Sequence, residues 1–162
     1  MSDEIKIIIP IPTDDEGYSL LQCEHCGTFF KVTPDDINDD GILHIYCPSC
    51  GLTSNCYATD DVLELAENMA TNAINDMIYD TLKGLERHSK NKSVQFKTGK
   101  RPRQKSEEPI RSGIEALECC TFPCCVRTAK IKPLLKMTGA YCPFCGVKNY
   151  EIEYKRAAKN PV

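Results

Sequence analysis

The chain has 162 residues, of which 11 are cysteines, and a formal net charge of −3. This length suits one ordinary domain or two very small ones, and no apolar run approaches the ~20 residues of a membrane-spanning helix. Residues 1–86 carry 17 acidic side chains against three lysines, whereas residues 87–162 carry 17 basic side chains against six glutamates. The resulting charges of −14 and +11 indicate that the two halves meet different partners or each other.

The cysteines favour a reducing compartment. The N-terminus reads Met-Ser-Asp-Glu and lacks the apolar stretch of a secretory signal. The cysteine count is odd, and six cysteines stand in three Cys-x-x-Cys pairs, which is typical of intracellular metal binding rather than of a disulfide framework. We therefore expect a soluble, cytoplasmic protein that has no membrane partner.

The first 58 residues predict a small β domain with an acidic surface. Three β-branched or aromatic stretches, each bounded by turn residues, predict strands. They are Ile5–Pro12, Phe29–Val32 and Ile42–Tyr46.

Two tight cysteine turns lie within this segment. The first reads Cys23-Glu-His-Cys26-Gly27, and the second, twenty residues further on, reads Cys47-Pro-Ser-Cys50-Gly51. Two thiolates two residues apart can hold one metal ion from a single turn, and a following glycine accepts the positive φ that such a turn needs. Four converging thiolates make the tetrahedral site that structural Zn²⁺ prefers. We therefore predict Cys23, Cys26, Cys47 and Cys50 as zinc ligands.

The middle of the chain predicts a long amphipathic helix over residues 59–88. Asp60 and Asp61 place acids at its positive end, and apolar or small residues recur at steps of three and four. The helix would be roughly 40 Å long at 1.5 Å per residue, and its apolar face needs a partner. Packing on the rest of the chain and self-association through this face are both open. The recurring residues include Leu63, Ala66, Ala70, Ile74, Met77 and Leu85.

A basic linker follows at residues 89–109. It contains no apolar periodicity, and its basic side chains have no acid among them as far as Lys105. This composition predicts an exposed linker or arm that is mobile without its partner.

Residues 110–156 repeat the cysteine pattern with a basic surface, before a tail at 157–162. Cys142-Pro-Phe-Cys145-Gly146 matches the turns of the first segment, but four cysteines compete for the other two ligand places. The stretch from Cys125 to Pro133 aligns without gaps with that from Cys26 to Pro34, which favours Cys125. We predict that Cys120 completes the set of Cys120, Cys125, Cys142 and Cys145. The pair Cys119 and Cys124 is the competing choice.

The four cysteine turns resemble those of the zinc ribbon family, in which two such turns cap a small antiparallel sheet. The resemblance covers roughly residues 18–52 and 114–152. It implies an α+β chain in which two small zinc-ribbon β domains are joined by the long helix and the basic linker. It also implies two Zn²⁺ ions per chain, and it says little about function.

No catalytic pattern accompanies these sites. Four thiolates leave a zinc ion no open position, and the chain has neither a glycine-rich phosphate loop nor a His-Glu-x-x-His motif. We therefore expect a non-enzyme.

Two binding functions fit the sequence. The first is nucleic-acid binding through the basic C-terminal half, with Phe122, Tyr141 and Phe144 as aromatic residues that could stack on bases. The alternative is a zinc-ribbon adaptor or regulatory subunit that binds a protein through its acidic N-terminal half and central helix. The candidate nucleic-acid-binding residues are Lys97, Lys100, Arg101, Arg103, Lys105, Arg127, Lys130 and Lys132.

Overall fold

The computed structural model describes residues 7–89, 97–110 and 116–154. It is an α+β structure with one long helix and antiparallel sheets, as predicted. The described residues fall into two compact units. The helical unit is formed by described residues within Met1–Pro10 and Asp60–Ile110, and the sheet unit by those within Ile11–Thr59 and Arg111–Val162.

The sheet unit is built on two β-hairpins and one added strand. Its strands are β1 (Ser19–Gln22), β2 (Phe29–Val32), β3 (Glu118–Phe122), β4 (Arg127–Ile131) and β7 (Glu153–Tyr154). All neighbours are antiparallel, in the order β1-β2-β4-β3-β7. A separate two-stranded sheet pairs β5 (Ala140–Tyr141) with β6 (Lys148–Asn149). Two one-turn helices, α1 (Pro34–Ile37) and α3 (Leu135–Thr138), follow β2 and β4.

The two cysteine-rich segments share this sheet, whereas the sequence analysis treated them as separate ribbons. Lys31 of β2 pairs with Lys130 of β4, and the gap-free alignment makes these two lysines equivalent. Because equivalent residues face each other on antiparallel strands, a local pseudo-two-fold axis passes between the hairpins. The domain boundaries given by the sequence stay a prediction.

One hydrophobic core serves both segments. Phe30 and Val32 from the first segment and Phe122 and Ile131 from the second are fully buried in one cluster. Tyr57 packs edge-on against Phe30, with ring centroids 5.7 Å apart. An isolated two-stranded hairpin is only marginally stable in water. The shared core stabilises both hairpins, because each buries its apolar side chains against the other.

The helical unit contains α2 (Asp60–Ser89), which agrees with the helix predicted from the apolar period. A segment of the predicted linker, residues 97–107, lies along one side of this helix; we call it the basic segment. The buried Asn72 makes two hydrogen bonds to this segment. Its side-chain oxygen accepts a hydrogen bond from the Lys105 amide at 2.8 Å, and its side-chain nitrogen donates one to the Lys105 carbonyl at 3.0 Å. Asn68 donates to the Ser106 carbonyl one turn earlier.

Two predicted strands differ from the structure. Residues 7–12 form no strand, and Pro10 and Pro12 explain this because neither has an amide hydrogen to donate; residues 5 and 6 lie outside the described part. In the stretch Ile42–Tyr46, Tyr46 forms an isolated bridge with Thr53, and the rest is irregular. Ile42 and Ile45 instead pack against the core.

Candidate metal centres

Three of the four cysteine turns have the same backbone geometry. Gly27, Gly51 and Gly146 have φ values of 66°, 73° and 72°. Their amides donate to the carbonyl of the first cysteine of the turn at 2.8, 2.8 and 2.9 Å. A left-handed residue closed by this hydrogen bond folds the two thiols of a Cys-x-x-Cys pair toward one point, and glycine takes the conformation without steric cost.

The first cysteine group is Cys23, Cys26, Cys47 and Cys50, whose sulfurs all lie within 4.8 Å of one another. The Cys23 and Cys50 sulfurs are 3.8 Å apart, and those of Cys26 and Cys47 are 3.5 Å apart. Tetrahedral zinc with Zn–S bonds of about 2.3 Å needs sulfurs about 3.8 Å apart. The group therefore fits a zinc ion, and it contains the four predicted ligands.

Backbone amides point at these sulfurs. The amides of Ser49 and Cys50 face Cys47, and the amide and hydroxyl of Thr28 face Cys26. Partial burial raises the pKa of Cys26, but hydrogen bonds from the hydroxyl and amide of Thr28 and from the thiols of Cys47 and Cys23 outweigh it and lower that pKa to about 6. At Cys47, burial outweighs the amides of Ser49 and Cys50 and raises the pKa of the thiol. The amide and hydroxyl donors at both cysteines favour the thiolate, which is the form that binds metal.

The second group consists of Cys124, Cys125, Cys142 and Cys145, with all four sulfurs within 4.8 Å of one another. The Cys124 and Cys145 sulfurs are 3.5 Å apart, and the Asn149 side-chain amide donates to the Cys124 sulfur at 3.4 Å. This spacing also suits tetrahedral zinc. In this group the structure places Cys124 where the sequence analysis placed Cys120.

The backbone of the fourth turn explains why Cys124, and not Cys120, joins this group. The fourth turn runs from Phe122 to Val126: the Val126 amide donates to the Phe122 carbonyl at 2.8 Å, and φ of Val126 is 57°. Phe122 therefore occupies the place of the first cysteine of the turn, and it fills the core. Cys124, two residues further on, supplies the missing sulfur.

Cys120 lies in strand β3, opposite Ala129, and is fully buried. Its thiol donates to the Ala129 carbonyl at 3.3 Å, and burial raises its pKa to about 12. Cys120 is therefore a core side chain. It precedes Phe122, the first residue of the fourth turn, by two residues, so it is not part of that turn. Cys119, the other half of the competing pair, lies near the Tyr18 hydroxyl at 3.5 Å and outside the second group.

The two proline-containing turns contact each other reciprocally. The Tyr46 amide donates to the Pro143 carbonyl at 2.8 Å, and the Tyr141 amide donates to the Pro48 carbonyl at 2.9 Å. Each tyrosine ring also covers the glycine of the opposite turn. A Cβ atom at Gly146 would lie 2.9 Å from the Tyr46 ring, and one at Gly51 would lie 2.8 Å from the Tyr141 ring.

Several predicted nucleic-acid residues are paired with acids inside their own unit. In the sheet unit, Arg127 contacts Asp36 and Asp39, each at 2.6 Å. Lys130 contacts Asp14 at 2.7 Å and is largely buried. Lys132 is half-buried.

The basic segment shows the same pattern. Arg101 contacts Asp76 at 2.8 Å, and Lys105 contacts Glu67 at 3.4 Å, both on α2. Lys97 and Arg103 are exposed. Lys100 is exposed too, so these three basic side chains face solvent in addition to the two that contact acids of α2.

The three aromatic residues predicted to stack on bases differ in their burial. Phe122 and Phe144 are buried, so they serve the core. Tyr141 is half-buried, with the Lys148 ammonium 5.2 Å from its ring centroid. The same ammonium lies 5.3 Å from the ring of Tyr150, which is exposed. This Tyr-Lys-Tyr arrangement was not predicted from the sequence.

Comparison with protein-family models, with curated proteins and with solved structures finds no significant match. Within the described ranges, no helix has both the length and the apolar character that a membrane crossing requires.

Proposed function

We propose that the protein is a non-catalytic zinc protein that acts as an adaptor or regulatory subunit, with α2 as the surface that binds a protein partner. Each cysteine group would hold one structural Zn²⁺ ion, and each segment would be a modified zinc ribbon. The sulfur spacing and the amides directed at the sulfurs support this assignment. A structural zinc contributes apparent free energy of folding on the order of 10–16 kcal/mol. The strands here are only two to five residues long, so a unit built from them would gain much of its stability from such ions. The ions would cross-link the turns and perform no chemistry.

The observation that carries the partner assignment is an apolar stripe on α2. Its large side chains are between 48 % and 56 % exposed. Contiguous exposed apolar surface is costly in water and marks interaction sites. The stripe consists of Leu63, Ile74, Met77, Ile78 and Leu85.

Nucleic-acid binding through the basic C-terminal half is the second candidate. Lys97, Lys100 and Arg103 of the basic segment favour it, as does the Tyr141-Lys148-Tyr150 arrangement, because aromatic rings beside cations can stack on single-stranded bases. Against it, Arg101, Lys105, Arg127 and Lys130 are occupied by carboxylates of the chain. A phosphate would have to displace those carboxylates, which makes this candidate the weaker one.

Affinity capture from the native cells distinguishes the two candidates. The full-length protein should retain a protein partner after nuclease treatment, and Ile74→Lys should lose that partner because it places a charge at the centre of the stripe. The matched control is Asp80→Lys, which adds the same residue at an exposed position about 120° around the helix from Ile74. Retained material that nuclease releases, and that Ile74→Lys does not affect, would contradict the adaptor proposal and favour nucleic-acid binding.

A further inference from the structure

The two sides of α2 have different environments within the helical unit. Asn72 is buried where the basic segment lies. Ile74 is two residues further along, so it projects from the opposite side of the helix at about 100° per residue. The basic segment therefore lies mainly away from Ile74, and it reaches the stripe side of α2 through the ion pair of Lys105 with Glu67, seven residues before Ile74.

The two leucines of the stripe are placed symmetrically about Ile74. Leu63 lies eleven residues before it and Leu85 eleven residues after it. Eleven residues make about three turns of α-helix, so the three side chains lie on one line along the helix. Ala70 and Ile78 are placed four residues on either side.

An antiparallel copy of the same helix would match this pattern. With the two Ile74 residues at a two-fold axis, Leu63 of each helix would meet Leu85 of the other, and Ala70 would meet Ile78. The small alanine opposite the larger isoleucine lets two helices approach and interdigitate. A two-fold interface uses one surface patch twice, so the patch must complement itself.

The charges select the antiparallel direction. The first turn of α2 contains Asp60 and Asp61, and the last turn contains Arg87 and His88. Antiparallel pairing about Ile74 brings the acidic first turn level with the basic last turn of the other helix. Parallel pairing would set acids beside acids and would align the two helix dipoles unfavourably.

We infer that the occupant of the α2 stripe is a second copy of this chain, packed antiparallel about Ile74. This inference rests on the proposed function of α2 as a protein-binding surface and names its partner. The protein would be a homodimer in which two α2 helices form the interface.

Sedimentation equilibrium of the full-length, zinc-loaded protein tests the inference. The wild type should have twice the chain mass of 18.2 kDa at micromolar concentration. Ile74→Lys should raise the dimer dissociation constant by on the order of a hundredfold or more, because two lysines would meet at the centre of an apolar interface. Asp80→Lys and Ile74→Leu should remain dimers with dissociation constants within about threefold of the wild type.

Circular dichroism and zinc content of each variant complete the test. Ile74→Lys should keep the helical signal and the zinc of the wild type. Loss of either would show that the stripe packs within its own chain and would overturn the inference, as would a wild-type monomer at about 100 µM, far above the micromolar range of stable dimers. A monomer that still captures another protein through Ile74 would reject self-association and leave the proposed function intact.

Discussion

Asp14 compensates the charge that the pseudo-symmetry creates in the sheet. Its carboxylate contacts Lys31 at 3.0 Å and Lys130 at 2.7 Å, and all three side chains are largely buried. Without it, the two equivalent lysines would face each other across β2 and β4. Partial burial raises the pKa of Asp14, but hydrogen bonds from Lys130, the Tyr18 amide and Lys31 outweigh it, so the pKa lies far below its ordinary value of 3.8.

Asp14→Asn should lower the free energy of unfolding by about 2–4 kcal/mol, because the largely buried Lys31 loses its counterion and Lys130 keeps only the exposed Glu16, at 3.1 Å. Asparagine keeps a carbonyl oxygen for the amides of Glu16 and Tyr18, which Asp14 accepts at 3.1 and 3.0 Å, so the turn itself is retained. Chemical denaturation of the zinc-loaded protein measures the difference. The control is Asp15→Asn at the exposed neighbour, where a change within about 0.5 kcal/mol is expected.

The pH dependence of this difference has a defined sign. A carboxyl group whose pKa is depressed by folding stabilises the protein fully above its unfolded pKa and loses that contribution as the pH falls through the folded value. With an ordinary pKa of 3.8, the gap between wild type and Asp14→Asn should be constant from about pH 5 to pH 8. A gap that varies across this range would assign the effect to another group.

At the scale of elements, the turn from Phe122 to Val126 is the one that departs from the repeated pattern. Of the non-glycine residues that the structure describes, Val126 alone has a positive φ. A left-handed conformation costs a β-branched residue roughly 1–2 kcal/mol. Val126 is 80 % exposed, so little packing compensates for this cost.

Val126→Gly should therefore stabilise the protein by about 0.5–1 kcal/mol, the relief of strain exceeding the added entropy of the unfolded chain. The increase should appear as a higher denaturation midpoint with unchanged zinc content. Val147→Gly is the matched control, because Val147 follows Gly146 in the facing turn, is also exposed and has an ordinary φ. That variant should be destabilised by a similar amount, and equal effects of the two substitutions would contradict the strain argument.

This turn also shows what the sequence could and could not predict. The first cysteine group was predictable because the spacing Cys-x-x-Cys-Gly encodes its geometry locally. In the fourth turn, phenylalanine takes the first-cysteine place and valine takes the glycine place, so the register of β3 on β4 decides which cysteines join the second group. That register, like the pairing of Lys31 with Lys130 across about a hundred residues, depends on a shared core that no local pattern encodes.

At the scale of the sheet unit, the two cysteine groups are parts of one structure. The strands β2 and β4 join the two segments, and the turns that contain Cys47 and Cys142 exchange backbone hydrogen bonds. Tyr46 and Tyr141 each close over the glycine of the other turn. A metal ion that ordered one of these turns would therefore also help to order the turn of the other cysteine group.

Cys124→Ser should show this coupling. It removes one sulfur of the second group, so the protein should lose about one zinc ion, and the first group should then bind zinc about 10–100-fold more weakly, the usual range for coupled sites. Competition with a chelator of known affinity measures both effects. Cys120→Ser is the control: its hydroxyl can still donate to the Ala129 carbonyl, as the thiol does, and both ions should remain bound with unchanged affinity. If Cys124→Ser loses one ion and leaves the first group at wild-type affinity, the two segments fold independently and the shared sheet carries no coupling between their metal centres.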